Sequence, residues 1–60
     1  MTAYLTTDEV AELARTTSST VRYWRYAGTG PSGFKVGRRV LYARTDVEAW
    51  LERLHGAATQ

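Results

Sequence analysis

Arg15, Arg22, Arg25, Lys35, Arg38, Arg39 and Arg44 are seven cationic side chains in one continuous run that contains no Asp or Glu. All six acids (Asp8, Glu9, Glu12, Asp46, Glu48 and Glu52) lie outside it. A guanidinium presents five N–H donors in a planar fork and no acceptor, which suits phosphate oxygens and the acceptor edge of guanine. Hydroxyl donors are interleaved with these cations at Ser18, Ser19, Tyr23 and Tyr26. The formal net charge of +2 conceals this segregation. Like charges gathered in one stretch repel one another, and a polyanionic partner removes that cost. Charge alone leaves open the alternative of a merely solvated basic face.

Other chemistries are poorly supplied. The chain has no cysteine, so neither a disulfide nor a thiolate metal site is possible, and its one histidine, His55, cannot build a metal centre with its neighbours. His55 reads instead as an exposed residue favoured by the negative end of a helix. No Ser/His/Asp or Cys/His set is clustered, and the carboxylate pairs occupy helix-capping positions. Gly28-Thr29-Gly30 precedes Pro31 rather than a helix whose N-terminus could hold a phosphate, so it is no dinucleotide loop. The expectation is a protein without catalysis, metal or cofactor. No run of about 18 apolar residues suggests a membrane span. The N-terminus lacks the charged-then-apolar pattern of a signal peptide, so a cytoplasmic protein is expected.

The elements that must position these side chains follow from caps and periodicity. Sixty residues make one domain, and a chain of this size buries only roughly 60% of its unfolded surface. Thr6 with Glu9 has the spacing of a capping box, and Leu5 with Val10 that of a hydrophobic staple; together they predict a helix to about Ala14. Arg15-Thr16-Thr17 is a short polar break. Thr17 then caps a second helix, Ser18 to Ala27, which Gly28 ends in a left-handed conformation. Gly28, Gly30, Pro31 and Gly33 mark a tight loop. Phe34-Lys35-Val36 and Arg39-Val40-Leu41-Tyr42 flank Gly37-Arg38 and predict a β-hairpin. Phe34, Val36, Val40 and Tyr42 are expected to face inward, with Lys35, Arg39 and Leu41 outward. Thr45 with Glu48 reads as a second capping box, opening a third helix that ends near His55-Gly56. The ordered core is expected over about 4–55, with 56–60 a flexible tail. Leu5, Val10, Leu13, Val21, Trp24, Val36, Val40, Trp50, Leu51 and Leu54 are the expected core.

The fold class is therefore mostly α with a small β-hairpin, in the order helix, helix, hairpin, helix, a winged helix-turn-helix. In the second helix Thr20, Val21, Trp24 and Ala27 share one face, while Ser19, Arg22, Tyr23 and Tyr26 share another. An α-helix fits the major groove of DNA, with its N-terminal residues nearest the bases. Arg22 is the candidate to select guanine, and Ser18 and Ser19 can donate to a base edge or a phosphate. Tyr23 and Tyr26 offer hydroxyls or apolar contact to thymine, and Arg25 holds the backbone. Gly37 allows a tight hairpin tip that projects Arg38, for which a narrow minor groove is an electrostatic target. Lys35 and Arg39 flank the tip and reach phosphates.

Read in order, Glu9-Val10-Ala11-Glu12-Leu13, Ser19-Thr20-Val21-Arg22-Tyr23-Trp24, Gly28-Thr29-Gly30-Pro31, Lys35-Val36-Gly37-Arg38-Arg39-Val40 and Asp46-Val47-Glu48-Ala49-Trp50-Leu51 resemble the excisionase-type, MerR-like winged-helix family. The resemblance covers about residues 4–54. It implies recognition through Ser18, Ser19, Arg22 and Tyr23 of the second helix and through Gly37, Arg38 and Arg39 of the wing. Two positions depart from the family pattern. Arg15-Thr16-Thr17 lacks the glycine common in that turn, and Leu41 stands where a basic or polar residue is common. An exposed leucine there could form a small protein contact or tuck under the loop. MerR-type regulators that sense a ligand add a dimerisation helix and an effector region after the third helix, for which this chain has no room. The resemblance therefore implies a stand-alone excisionase, or recombination directionality factor, of a phage or mobile element. Such a protein binds neighbouring DNA repeats cooperatively, bends the DNA and steers an integrase toward excision, without covalent chemistry of its own. Its expected partners are double-stranded DNA, an integrase and neighbouring copies of itself on DNA, with a monomer in isolation. A small transcriptional regulator or a protein-interaction module would share many of these features.

Overall fold

The computed structural model describes residues 3–58. Six elements follow one another: β1 (Tyr4–Thr6), α1 (Thr7–Leu13), α2 (Ser18–Ala27), β2 (Gly33–Val36), β3 (Arg39–Ala43) and α3 (Arg44–Ala58). The strands form one antiparallel sheet in the order β1-β3-β2. Three helices on a three-stranded antiparallel sheet are the winged helix-turn-helix that the sequence predicts, with one strand added. The addition is β1, whose Leu5 lies opposite Tyr42. Its three residues are too few to show an alternating pattern, and the capping signal that follows masks them.

The caps explain where the helices begin. Glu9 N–H donates to Thr6 Oγ1 at 3.2 Å and Thr6 N–H to Glu9 Oε1 at 2.8 Å, a complete capping box. Thr20 N–H donates to Thr17 Oγ1 at 3.2 Å at the start of α2. Each such cap contributes about 1 kcal/mol. The expected box at Thr45 and Glu48 does not form. α3 starts one residue earlier, directly off β3, and Arg44 Nε instead donates to Glu48 Oε2 at 3.2 Å.

The first two helices end alike. In α1, Thr16 N–H donates to Ala11 O at 2.8 Å and Arg15 N–H to Glu12 O at 3.1 Å. In α2, Thr29 N–H donates to Trp24 O at 3.0 Å and Gly28 N–H to Arg25 O at 3.3 Å. Both are Schellman closures, which need one residue with positive φ. Gly28 supplies it with φ 75°, but in α1 the residue is Arg15, with φ 61°. A side chain in that conformation costs on the order of 1 kcal/mol.

The core lies between α1, α2, α3 and the inner face of the sheet. Val10, Ala11, Val21, Tyr42 and Val47 are buried, and Leu5, Trp24, Val40 and Leu51 pack against them. Trp50 is buried too, its ring centroid 4.9 Å from that of Trp24. Three expected core residues are not core: Leu13, Val36 and Leu54 are exposed. Leu13 is the last residue of its short helix. Leu54 is followed by another turn of α3, through Gly56 to Ala58, so the helix overruns the end expected for it. Of the expected tail, Thr59 and Gln60 lie outside the described residues.

Val36 is exposed because of register. The Gly37-Arg38 turn leaves Val36 opposite Arg39, Lys35 opposite Val40, Phe34 opposite Leu41 and Gly33 opposite Tyr42. Directly opposed residues share a face. Val40 and Tyr42 therefore point inward as expected, but Phe34 and Val36 point outward with Leu41 and Arg39, and Lys35 falls on the inner side. On the outer face the rings of Phe34 and Tyr4 meet edge to face at 5.7 Å, and Leu41 is half-buried between Thr6 and Phe34. Gly33 is required by this register: a Cβ there would lie 2.7 Å from Tyr42 Cε2.

The loop from α2 to β2 is clasped by the two tryptophans. Trp50 Nε1 donates to Thr29 O at 3.2 Å, and a Cβ on Gly30 would lie 2.7 Å from Trp24 Cβ. Pro31 is buried beside them. This loop fixes the wing relative to α2.

Candidate nucleic-acid interface

α2 turns Val21 into the core and Ser19, Arg22, Tyr23 and Tyr26 into solvent, the division its periodicity predicts. Tyr23 is 65% exposed and Tyr26 90% exposed, so neither ring is tucked into the core. Arg25 is exposed as well. Arg22 Nη2 donates to Ser19 Oγ at 3.4 Å, which draws the guanidinium toward the N-terminal end of α2. Ser18 differs from its neighbour. It is half-buried, and its hydroxyl donates to the Asp8 carboxylate, so it ties the start of α2 to the start of α1.

The wing is the β2–β3 hairpin. Gly37 has φ 62°, the positive φ that the first central residue of a II′ hairpin turn demands. Lys35, Arg38 and Arg39 are all exposed, with Arg38 at the tip and Lys35 and Arg39 on opposite faces of the ribbon.

Between helix and wing lies an open cleft of about 670 Å³. α2 contributes Arg22, Arg25 and Tyr26 to its lining, and the wing contributes Arg38 and Arg39. Lys35, Ser18, Ser19 and Tyr23 are not among the lining residues. Asp8 is the one acid there, against four arginines. Among the described residues the only ion pair joins Arg44 to Glu48. The other six cations of the acid-free run have no ion-pair partner among the described residues. The fold thus gathers from two elements, separated in sequence, a concave surface whose charged lining is four arginines and one aspartate.

Short helices joined by a tight turn, with the second helix exposed along a polar, basic face, match a family model described as a helix-turn-helix domain over residues 4–55. The chain belongs to the helix-turn-helix domain family. No curated protein and no solved structure matches it. A helix-turn-helix domain implies sequence-specific DNA binding, and such domains are typically not enzymes. Among the described residues of this helix-turn-helix domain no helix is long and apolar enough to cross a membrane, and no group of His, Asp and Glu could hold a metal ion.

Two features of the domain escape sequence reasoning. One is the Ser18–Asp8 contact between residues ten positions apart. The other is Tyr42, which also lines the cleft. The alternation along β3 predicts the inward direction of Tyr42, but its place in the cleft depends on the loop that sets the wing beside α2.

Proposed function

We propose that this domain is an architectural DNA-binding protein of the excisionase type. It places α2 in the major groove and the wing along the adjoining backbone and minor groove. Ser19, Arg22 and Tyr23 read bases, while Arg25, Tyr26, Lys35, Arg38 and Arg39 hold the backbone, with Gly37 shaping the wing tip. Ser18 contributes through its tie to Asp8, which orients the N-terminal end of the reading helix. The observation that carries this reading is the cleft whose two walls each bring two arginines. Phosphate contacts through Arg25, Arg38 and Arg39 fix register and orientation, and Ser19, Arg22 and Tyr23 on the exposed face of α2 are then left to specify sequence.

The ordered motif set supports the excisionase assignment: neighbouring copies bind adjacent repeats, bend the duplex and direct an integrase toward excision. The protein works in the compartment that holds its DNA, the cytoplasm of a bacterial host. A gel-shift series on recombination-site and promoter fragments, run beside an excision assay, tests this. Cooperative binding to the recombination site with stimulated excision is expected. Binding to promoter DNA with unchanged excision would instead make the domain a transcriptional regulator.

A further inference from the structure

Asp8 is the one acid among the residues that line the cleft, against Arg22, Arg25, Arg38 and Arg39. Local structure does not call for its charge. Thr6 and Glu9 complete the capping box of α1, and Glu9 already places an acid at the positive end of the helix dipole. The Ser18 hydroxyl donates to the Asp8 carboxylate, a bond that the neutral amide oxygen of an asparagine accepts as well. Cap and tie together account for a short polar side chain at this position. Neither accounts for a negative one.

The charge is not spent inside the fold. Asp8 is exposed, and among the described residues the only ion pair joins Arg44 to Glu48, so the Asp8 carboxylate is not locked onto any one guanidinium. Its field therefore reaches the cleft as a whole. Screening in 0.1 M salt acts over about 10 Å, and a space of about 670 Å³ has dimensions of that order. A phosphate held there is repelled by Asp8 whichever way the carboxylate points, because a charge needs only distance and no hydrogen-bond direction.

We propose that Asp8 is an affinity-limiting residue of the DNA interface. Its negative charge opposes the phosphates that the four arginines attract, and holds the sequence-independent grip of the cleft below what those arginines alone would give. This rests on the DNA-binding reading above. Non-specific binding is essentially electrostatic, so every duplex carries the same penalty. A preferred site recovers affinity through the bases that Ser19, Arg22 and Tyr23 read, and base contacts then carry a larger share of the total.

The test titrates the full chain and three variants, Asp8→Asn, Ser18→Ala and Glu52→Gln, on a preferred and a scrambled duplex across a salt series. Melting curves establish that each variant is folded at the titration temperature. Asp8→Asn keeps the oxygen that Ser18 bonds and removes the charge. Its affinity should rise about threefold on both duplexes at low salt, the scale of one unit charge about 8 Å from a phosphate in water. The gain should shrink as salt is added, because screening removes the repulsion. Glu52→Gln removes an equal charge from α3, outside the cleft, and should gain less. Ser18→Ala cuts the tie, keeps the charge and should gain nothing. Unchanged affinity for Asp8→Asn would overturn the proposal. An equal gain for Glu52→Gln would also overturn it, by reducing the effect to net charge, and an equal gain for Ser18→Ala would assign the effect to the tie. A loss confined to the preferred duplex would make Asp8 a reader of a base amino group instead. If the wild-type protein shows no salt-dependent duplex binding, the DNA reading itself falls.

Discussion

α2 and the wing bring two arginines each to the same cleft, yet they are anchored in different ways. α2 is capped by Thr17, closed by Gly28, tied to α1 through Ser18 and Asp8, and held to the core by Val21 and Trp24. Its side chains leave a helix whose rotation is fixed, so in the proposed complex Ser19 and Arg22 meet a base edge in one orientation. The wing is attached at its base, where Tyr42 lies over Gly33 and the loop is clasped by Trp24 and Trp50. Toward its tip the packing fades: Val36, Gly37, Arg38 and Arg39 are all exposed. The difference matches two kinds of work. Reading sequence needs groups held in place, whereas gripping a phosphate or a narrow groove needs charge within reach.

Four substitutions bear on this contrast. Gly33→Ala attacks the base of the wing, where the added Cβ meets the Tyr42 ring at 2.7 Å. Overpacking at such a site costs up to about 3 kcal/mol, a fall in melting temperature on the order of 10 °C for a domain this small. An unchanged melting curve would show that the wing base is as loose as its tip. Arg22→Ala should lose about 1–3 kcal/mol on the preferred duplex and much less on random DNA if the residue reads a base. Equal losses on both would make α2 a second gripping element and erase the contrast. Arg38→Ala should lose on the order of 1 kcal/mol, chiefly on sites with a narrow A·T-rich minor groove, as competition titrations on matched duplexes can show. Arg15→Gly should act least. It relieves the positive φ of Arg15, offset by added freedom of the unfolded chain, for a net stability gain below about 1 kcal/mol by denaturant melting. A stability loss would mean that the left-handed turn feeding α2 is not strained.

How legible this was in the sequence varies from residue to residue. Local chemistry was plain: Thr6 with Glu9, Thr17, Gly28 and Gly37 each announce a cap or turn through a hydrogen bond or a φ that few residues supply. The phase of α2 was equally plain, because Val21 and Arg22 must fall on different faces of any helix there. What failed was long-range. β1 is a three-residue strand recognisable only beside β3. Phe34 and Val36 look inward by composition, and only the pairing set by the two-residue turn sends them out, while Val40 and Tyr42 stay inward as expected. The Thr45–Glu48 box was a genuine local signal overridden when β3 ran straight into α3. For the site, the basic residues could be named in advance, but the cleft could not. It exists because the Gly28-to-Gly33 loop sets the wing beside α2, and the loop's position depends on Trp50, far away in the chain.

The central claim is that the cations of the acid-free run engage DNA phosphates. The most direct measurement is duplex affinity as a function of salt concentration, plotted logarithmically on both axes. Each phosphate neutralised contributes a slope of about −0.9, so five or six engaged cations predict roughly −4 to −6. A flat or nearly flat response would contradict the account and leave the basic run a solvated surface.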